Sequence, residues 1–169
     1  MRVIAIVSGI ILATTAVLLA QGEQAKATLK NAQGQTLGNA TLTETPHGVL
    51  IHVSLTNAPA GVHAFHIHAA GRCEPPFTSA GGHFNPTNKQ HGLENPMGMH
   101  AGDLPNIDIP SSGALTFDAV AHDVTLKPGA NSLLDADGAA FVIHDKGDDY
   151  KSDPAGNAGD RVICGIITK

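Results

Sequence analysis

The chain has 169 residues, with 15 acidic and 10 basic side chains, a formal charge of −5, ten histidines, two cysteines and no tryptophan. That balance excludes a general nucleic-acid binder, which needs excess Lys and Arg to displace phosphate counterions, and the length fits one core of the ~100–200-residue class. Aromatic residues make up only 4%, so the core must come from Ala, Val, Ile and Leu, and the ten histidines exceed the about four of ordinary usage.

Arg2 precedes an apolar run from Val3 to Ala20, interrupted only by Ser8, Gly9, Thr14 and Thr15. A basic start and an apolar stretch read as a secretory signal over residues 1–20, cleaved after Ala20 or as late as Ala27 in the pattern Ala25-Lys26-Ala27. A retained membrane anchor is the alternative, although such a run rises only ~27 Å as a helix against a ~30 Å hydrocarbon core. The expected destination is the periplasm, or a membrane-anchored position outside the cell interior if the anchor stays. Loss of Arg2 leaves 9 basic and 15 acidic residues, a net of −6. Export permits a disulfide, and two cysteines allow one pairing; two buried free thiols are the alternative. Closing a loop of about 90 residues would add roughly 4–5 kcal/mol in the chain-entropy model.

The remainder, residues 28–169, reads as one domain. Short alternating runs separated by turn residues replace any long amphipathic helix. Thr28–Asn31 and Thr36–Glu44 flank the turn Ala32-Gln33-Gly34-Gln35; Val49–Thr56 and Val62–Ala69 follow. In the third run Val49, Ile51, Val53 and Leu55 form an apolar face, with His52 and Ser54 on the wet one. A second group comprises Ile107–Ile109, Ala114–Ala121, Ala139–Asp145 and Arg161–Thr168. Eight such strands predict an all-β, eight-stranded antiparallel Greek-key barrel or sandwich. Two long functional loops are expected, at 71–105 and 146–160, the first dense in Gly, Pro, Asn and His.

His66 and His68 are two apart on a predicted strand, so both imidazoles face one side while Phe65 and Ile67 face the other. His144 ends the run Phe141-Val142-Ile143 and can complete the same site. His83, His91, His100 and Asp103 follow along the first loop, and three imidazoles with a carboxylate make a tetrahedral set that zinc accepts. Imidazole clusters without thiolates suit zinc or copper. His47, His52 and His122 read as ordinary surface histidines.

The motifs Gly61-Val62-His63-Ala64-Phe65-His66-Ile67-His68, Gly81-Gly82-His83-Phe84-Asn85-Pro86, His91-Gly92-Leu93-Glu94-Asn95-Pro96 and His100-Ala101-Gly102-Asp103-Leu104-Pro105 occur in this order. Val142-Ile143-His144-Asp145 and Asn157-Ala158-Gly159-Asp160-Arg161-Val162-Ile163-Cys164-Gly165 complete them. With these motifs the chain resembles the copper/zinc superoxide dismutase family in its bacterial, exported form, from about residue 28 to 169. The resemblance implies copper held by His66, His68, His83 and His144, and zinc held by His83, His91, His100 and Asp103, one ion of each per subunit. The His83 imidazolate would bridge them. It further implies that His63 is not a ligand, that Asp148 links a copper histidine to a zinc histidine, and that Cys73 and Cys164 form a disulfide. Arg161 would stand beside the copper. Ile163 stands where the family usually has a small residue, and Arg72 where it has a small or acidic one.

The implied activity is dismutation of superoxide, a small-molecule substrate, to dioxygen and hydrogen peroxide. Copper would cycle between oxidation states, His83 would supply a proton, and Arg161 would hold the anion at the open face. The negative net charge requires local focusing by the metals and Arg161, with Lys89, Lys146 and Lys151 as further candidates for steering. The rival readings are a non-catalytic exported copper/zinc binding protein on the same scaffold, which would be free to lose a copper ligand or the arginine, and a structural β-sandwich, which leaves the histidines unexplained. The family allows either a homodimer or a monomer.

Overall fold

The computed structural model describes residues 22–169; the expected signal segment lies outside the described residues. Nine strands follow in chain order: β1 (Gln24–Asn31), β2 (Thr36–Thr45), β3 (Gly48–Leu55), β4 (Gly61–His63), β5 (Phe65–His68), β6 (Ile107–Ile109), β7 (Leu115–Ala121), β8 (Ala140–His144) and β9 (Arg161–Ile166). Seven form one sheet in the order β5-β8-β9-β1-β2-β3-β7, and β4 pairs with β6. All named pairs are antiparallel, and the joins β3–β7, β1–β9 and β5–β8 are non-sequential, which is Greek-key connectivity. A single turn of 3₁₀-helix, Thr78–Ala80, is the one helical element among the described residues.

The third predicted run confirms the period-2 reading: Val49, Ile51, Val53 and Leu55 are buried while Leu50, His52 and Ser54 are exposed. The predicted single strand Val62–Ala69 is instead two strands, which turns eight into nine. Ala64 breaks it because its N–H donates to Lys146 O at 2.8 Å and its carbonyl accepts from His144 N at 3.0 Å. Its backbone pairs are thus spent on the second loop and on β8, so the chain changes ladders, from β6 to β8, at this residue. β1 also begins earlier than expected, at Gln24, with Ala25 and Ala27 buried.

The main core lies between the two faces of the curled sheet and includes Leu29, Leu42, Ile51, Phe65, Phe141 and Ile163. Phe65 stacks on Phe141 at 5.2 Å and meets Phe117 edge-on at 5.6 Å. A second, smaller cluster, Phe77, Ala80, Ala140, Val142 and Cys164, fills the other side of β8. β8 is therefore buried on both faces, which explains its continuous apolar run. Ile163 points into the main core and Cys164 into the smaller cluster, as the strand period dictates, and Arg72 is exposed.

Cys73 and Cys164 are bonded, with Cα atoms 5.7 Å apart and 91 positions apart in sequence, so the disulfide ties the first loop to β9. Replacing both by alanine is expected to lower unfolding free energy by about 4 kcal/mol. Urea titration of oxidised protein against the double variant measures it; a loss below about 1 kcal/mol contradicts the estimate.

Candidate metal centre

Short strands and one loop bring seven side chains together. β5 supplies His66 and His68, β8 ends in His144, and the first loop supplies His83, His91, His100 and Asp103; all seven are buried. The β8–β9 register shifts between Ile143 and His144, where His144 pairs with Arg161. That irregularity re-aims the last residue of β8 and sets the arginine beside it. His63, buried, has Nδ1 2.7 Å from His144 O and Nε2 3.1 Å from Pro59 O; carbonyls only accept, so the ring is turned to the backbone and not to the cluster.

One ligand atom from each of His66, His68, His83 and His144 lies within 4.8 Å of the others, and the same holds for His83, His91, His100 and Asp103. These are the two sets expected from the sequence, and His83 belongs to both. In the second set Asp103 Oδ1 is the common point, 2.8 Å from His83 Nδ1, 3.0 Å from His91 Nδ1 and 3.3 Å from His100 Nδ1. Its other oxygen accepts N–H groups of Gly92 and His100. His83 thus turns Nδ1 to the second set and Nε2 to the first.

Among the described residues, the buried side-chain nitrogens without a hydrogen-bond partner are His66 Nδ1, His68 Nε2, His83 Nε2 and His144 Nε2, one from each member of the first set. The opposite nitrogens are engaged. His68 Nδ1 donates to Gly81 O at 2.9 Å and His144 Nδ1 to Gly159 O at 3.3 Å. His66 Nε2 donates to Asp148 Oδ2 at 2.8 Å, and His91 Nε2 to Asp148 Oδ1 at 3.0 Å. Because a carbonyl can only accept, the proton sits on the outer nitrogen and leaves an inward lone pair. Four such lone pairs converging in a buried space fit a cation that takes imidazole ligands, and nothing else among the described residues satisfies them.

Asp148, expected as the link between the sets, is buried and joins His66 to His91. Gly156 makes room for it: at φ 62° a Cβ there would stand 1.8 Å from Asp148 Oδ1 and 2.8 Å from His91 Nε2. Arg161 donates to Phe77 O and Gly81 O, both at 2.7 Å. Among the described residues it has no carboxylate partner, so its charge is spent on dipoles and stays available to an anion. It lines, with His68, His83 and His144, a cleft of about 390 Å³ whose rim includes Lys89 and Asp153. Lys151 is ion-paired with Glu94 at 2.8 Å, and Lys146 lies outside the cleft lining. His47, His52 and His122 are exposed, and His52 pairs across strands with Asp118. Sequence reasoning missed Asn106 and Tyr150, which hold Asp148 in place. Asn106 sits three residues beyond Asp103 and Tyr150 two beyond Asp148, but only the fold reveals the contacts.

Burial sets the protonation of the metal-free chain. It lowers His68 to about 2, with help from the charge of His83, and lowers His144 to about 3. It takes His83 to about 4 against the pull of Asp103. Burial also opposes a charge on His91, but hydrogen bonds to Asp103 and Asp148 prevail and raise it to about 9. Burial works against both carboxylates too, yet the imidazoles bonded to them hold Asp103 and Asp148 well below the ordinary range. His68, His83 and His144 are therefore neutral at pH 7 and ready to coordinate, whereas metal entering the second set displaces a proton from His91.

Three depressed imidazoles bind protons more readily in the unfolded chain than in the folded one. Stability of the metal-free protein is expected to fall as pH drops from about 6.5 towards 4. The His91 contribution is full below about 6.5 and is lost as pH rises through about 9. Thermal unfolding of metal-free protein across pH 4–10 should show a maximum near neutrality; a flat acid limb would contradict the burial of these groups.

The model of the copper/zinc superoxide dismutase (SODC) family matches residues 36–167. A Cu-Zn superoxide dismutase of Aquifex aeolicus is 49% identical over 88% of this chain and 90% of its own, and a second from the same organism is 51% identical over 87% and 88%. A protein of Bacillus subtilis named only superoxide dismutase-like is 44% identical over 82% of this chain and 73% of its own. The crystal structure of an SOD-like protein from Bacillus subtilis aligns with TM-score 0.81 at 41% identity, covering 87% of this chain and 99% of that one. Cu/Zn superoxide dismutase from Brucella abortus aligns with TM-score 0.70 at 28% identity, over 86% and 100%. The family match, the identities and the fold agree: the chain belongs to the copper/zinc superoxide dismutase family.

Proposed function

We propose that this chain is an exported superoxide dismutase in which His66, His68, His83 and His144 hold copper and His83, His91, His100 and Asp103 hold zinc. The four unpartnered inward nitrogens carry this reading, because they leave a redox metal one imidazole cage with a cleft on its open side. The copper, when bound, supplies one-electron chemistry between two oxidation states, and zinc has none, so its role is to order the loop and fix His83.

The reaction converts two superoxide ions and two protons to dioxygen and hydrogen peroxide. Arg161 binds the anion: its guanidinium is always charged, its two backbone carbonyls orient it without neutralising it, and the half-buried cleft screens it less than bulk water would. His83 holds or releases a proton at Nε2, the nitrogen turned to the cleft, while Nδ1 stays directed at Asp103 and the zinc set. Asp148 keeps the proton of His66 on Nε2, so that ring presents Nδ1 throughout. The non-catalytic rival, a metal buffer on the same scaffold, has no use for Arg161 or the cleft. The relative named only superoxide dismutase-like makes the rival worth testing.

The expected outcome is rapid superoxide dismutation by protein loaded with both metals, lost on copper removal. Arg161→Ala should lower the rate on the order of 10–100-fold at unchanged metal content. Absence of activity with both metals bound would establish the buffer reading.

Export into the periplasm, with cleavage after Ala20, also suits β1. Cleavage after Ala27 would remove Gln24–Ala27, whose partners are Thr43–Ala40 on β2, together with the buried Ala25 and Ala27. The expected mature N terminus is Gln21, which sequencing of the exported protein checks; a start at Thr28 or a membrane-retained Met1 overturns it. Monomer and homodimer are both compatible with this site, which is complete within one chain.

A further inference from the structure

Tyr150 is the only tyrosine in a chain without tryptophan, and the reaction does not use it. Its backbone is left-handed, φ 61°, where a bulky side chain is disfavoured because Cβ crowds the carbonyl. Such a conformation persists only where the surroundings over-determine it. Here contacts from three segments do so. The Tyr150 N–H donates to Asp148 Oδ1 at 2.6 Å, its carbonyl accepts from Glu94 N at 3.0 Å, and its hydroxyl accepts from Asn106 N at 2.7 Å.

Asn106 closes the arrangement. Its Oδ1 accepts from Asp148 N at 2.8 Å and its Nδ2 donates to Asp148 O at 2.9 Å. Asp148 is thus fixed at its amide and carbonyl by Asn106 and at one carboxylate oxygen by Tyr150, the same oxygen that accepts from His91 Nε2. The residue next to His91 also rests on Tyr150, since a Cβ on Gly92 would stand 2.2 Å from Tyr150 O.

We infer that Tyr150 is a positioning residue for the zinc site, acting through Asp148 on His91 and through Glu94 and Gly92 on the loop that carries His91. The inference rests on the assignment of His83, His91, His100 and Asp103 to zinc. Without the hydroxyl, the ring loses its tether to Asn106 and the left-handed backbone is free to relax. Its N–H then leaves Asp148 Oδ1, and His91 loses the fixed acceptor that orients Nδ1. Groups that orient a ligand in this way change metal affinity by about 10–100-fold when removed.

The test is zinc release from the metal-loaded protein into excess EDTA, followed by metal analysis, for wild type, Tyr150→Phe and Ser152→Ala. Ser152 bonds to Asp149 in the same loop and does not touch Asp148. Tyr150→Phe is expected to release zinc at least about tenfold faster, and Ser152→Ala within twofold of wild type. In wild type the tyrosine fluorescence, which comes from Tyr150 alone, should change with the rate of zinc loss. Equal release by wild type and Tyr150→Phe overturns the inference, as does equal acceleration by Ser152→Ala, which marks general loop loosening. If the variant fails to fold, an unchanged wild-type fluorescence on zinc loss overturns it equally. Wild type that takes up no zinc when loaded overturns the site assignment itself, a result distinct from zinc held and released at the same rate.

Discussion

Four imidazoles in this protein are held by the nitrogen they do not present, and the rest of the site depends on that constraint. Gly81 O fixes His68, Gly159 O fixes His144, and the single carboxylate of Asp148 fixes both His66 and His91. A carbonyl or carboxylate accepts only, so each bond places a proton outward; His66, His68 and His144 then turn a lone pair inward, and His91 does so once metal displaces its inner proton. The acceptors come from the two long loops, while His66, His68 and His144 come from strands. The loops therefore do chemical work by closing over the strand ends: they choose the tautomers.

The sheet makes this closure possible. β8 is buried on both faces, so His144 is delivered at the end of a rigid strand, and β5 runs beside it with both of its histidines buried. Ala64 spends its backbone pairs on Lys146 and His144, which locks the second loop to the strand that bears the ligands. The disulfide fastens the first loop to β9, and Cys164 packs in the same small cluster as Phe77, whose carbonyl accepts from Arg161. The Arg161 guanidinium, the clustered histidines and the loop anchors are thus built on one interlocked unit.

The overall charge of −5 and the anionic substrate are reconciled locally. Arg161 leans on two carbonyl oxygens rather than on a carboxylate, so the cleft keeps its positive charge. Lys151 is exposed and paired with the likewise exposed Glu94.

Much of the fold was legible along the chain. Alternation in Val49–Leu55 and the turn residues between runs gave the strand positions, and the i, i+2 spacing of His66 and His68 placed both rings on one side of a strand. Motif resemblance supplied the ligand sets and the Cys73–Cys164 pairing. What the chain did not disclose lies in backbone bonds between distant segments. Nothing in Val62–Ala69 marks Ala64 as the point where one strand becomes two, because its partners Lys146 and His144 are more than 75 positions away. Asn106, Tyr150 and Gly156 look like ordinary loop residues until Asp148 is brought between them. By itself the sequence determined which side chains can bind metal, since that is a property of residue type and local period. Only the tertiary structure decided which nitrogen each imidazole offers, because the tautomer is set by whichever acceptor the folded loops place behind the ring.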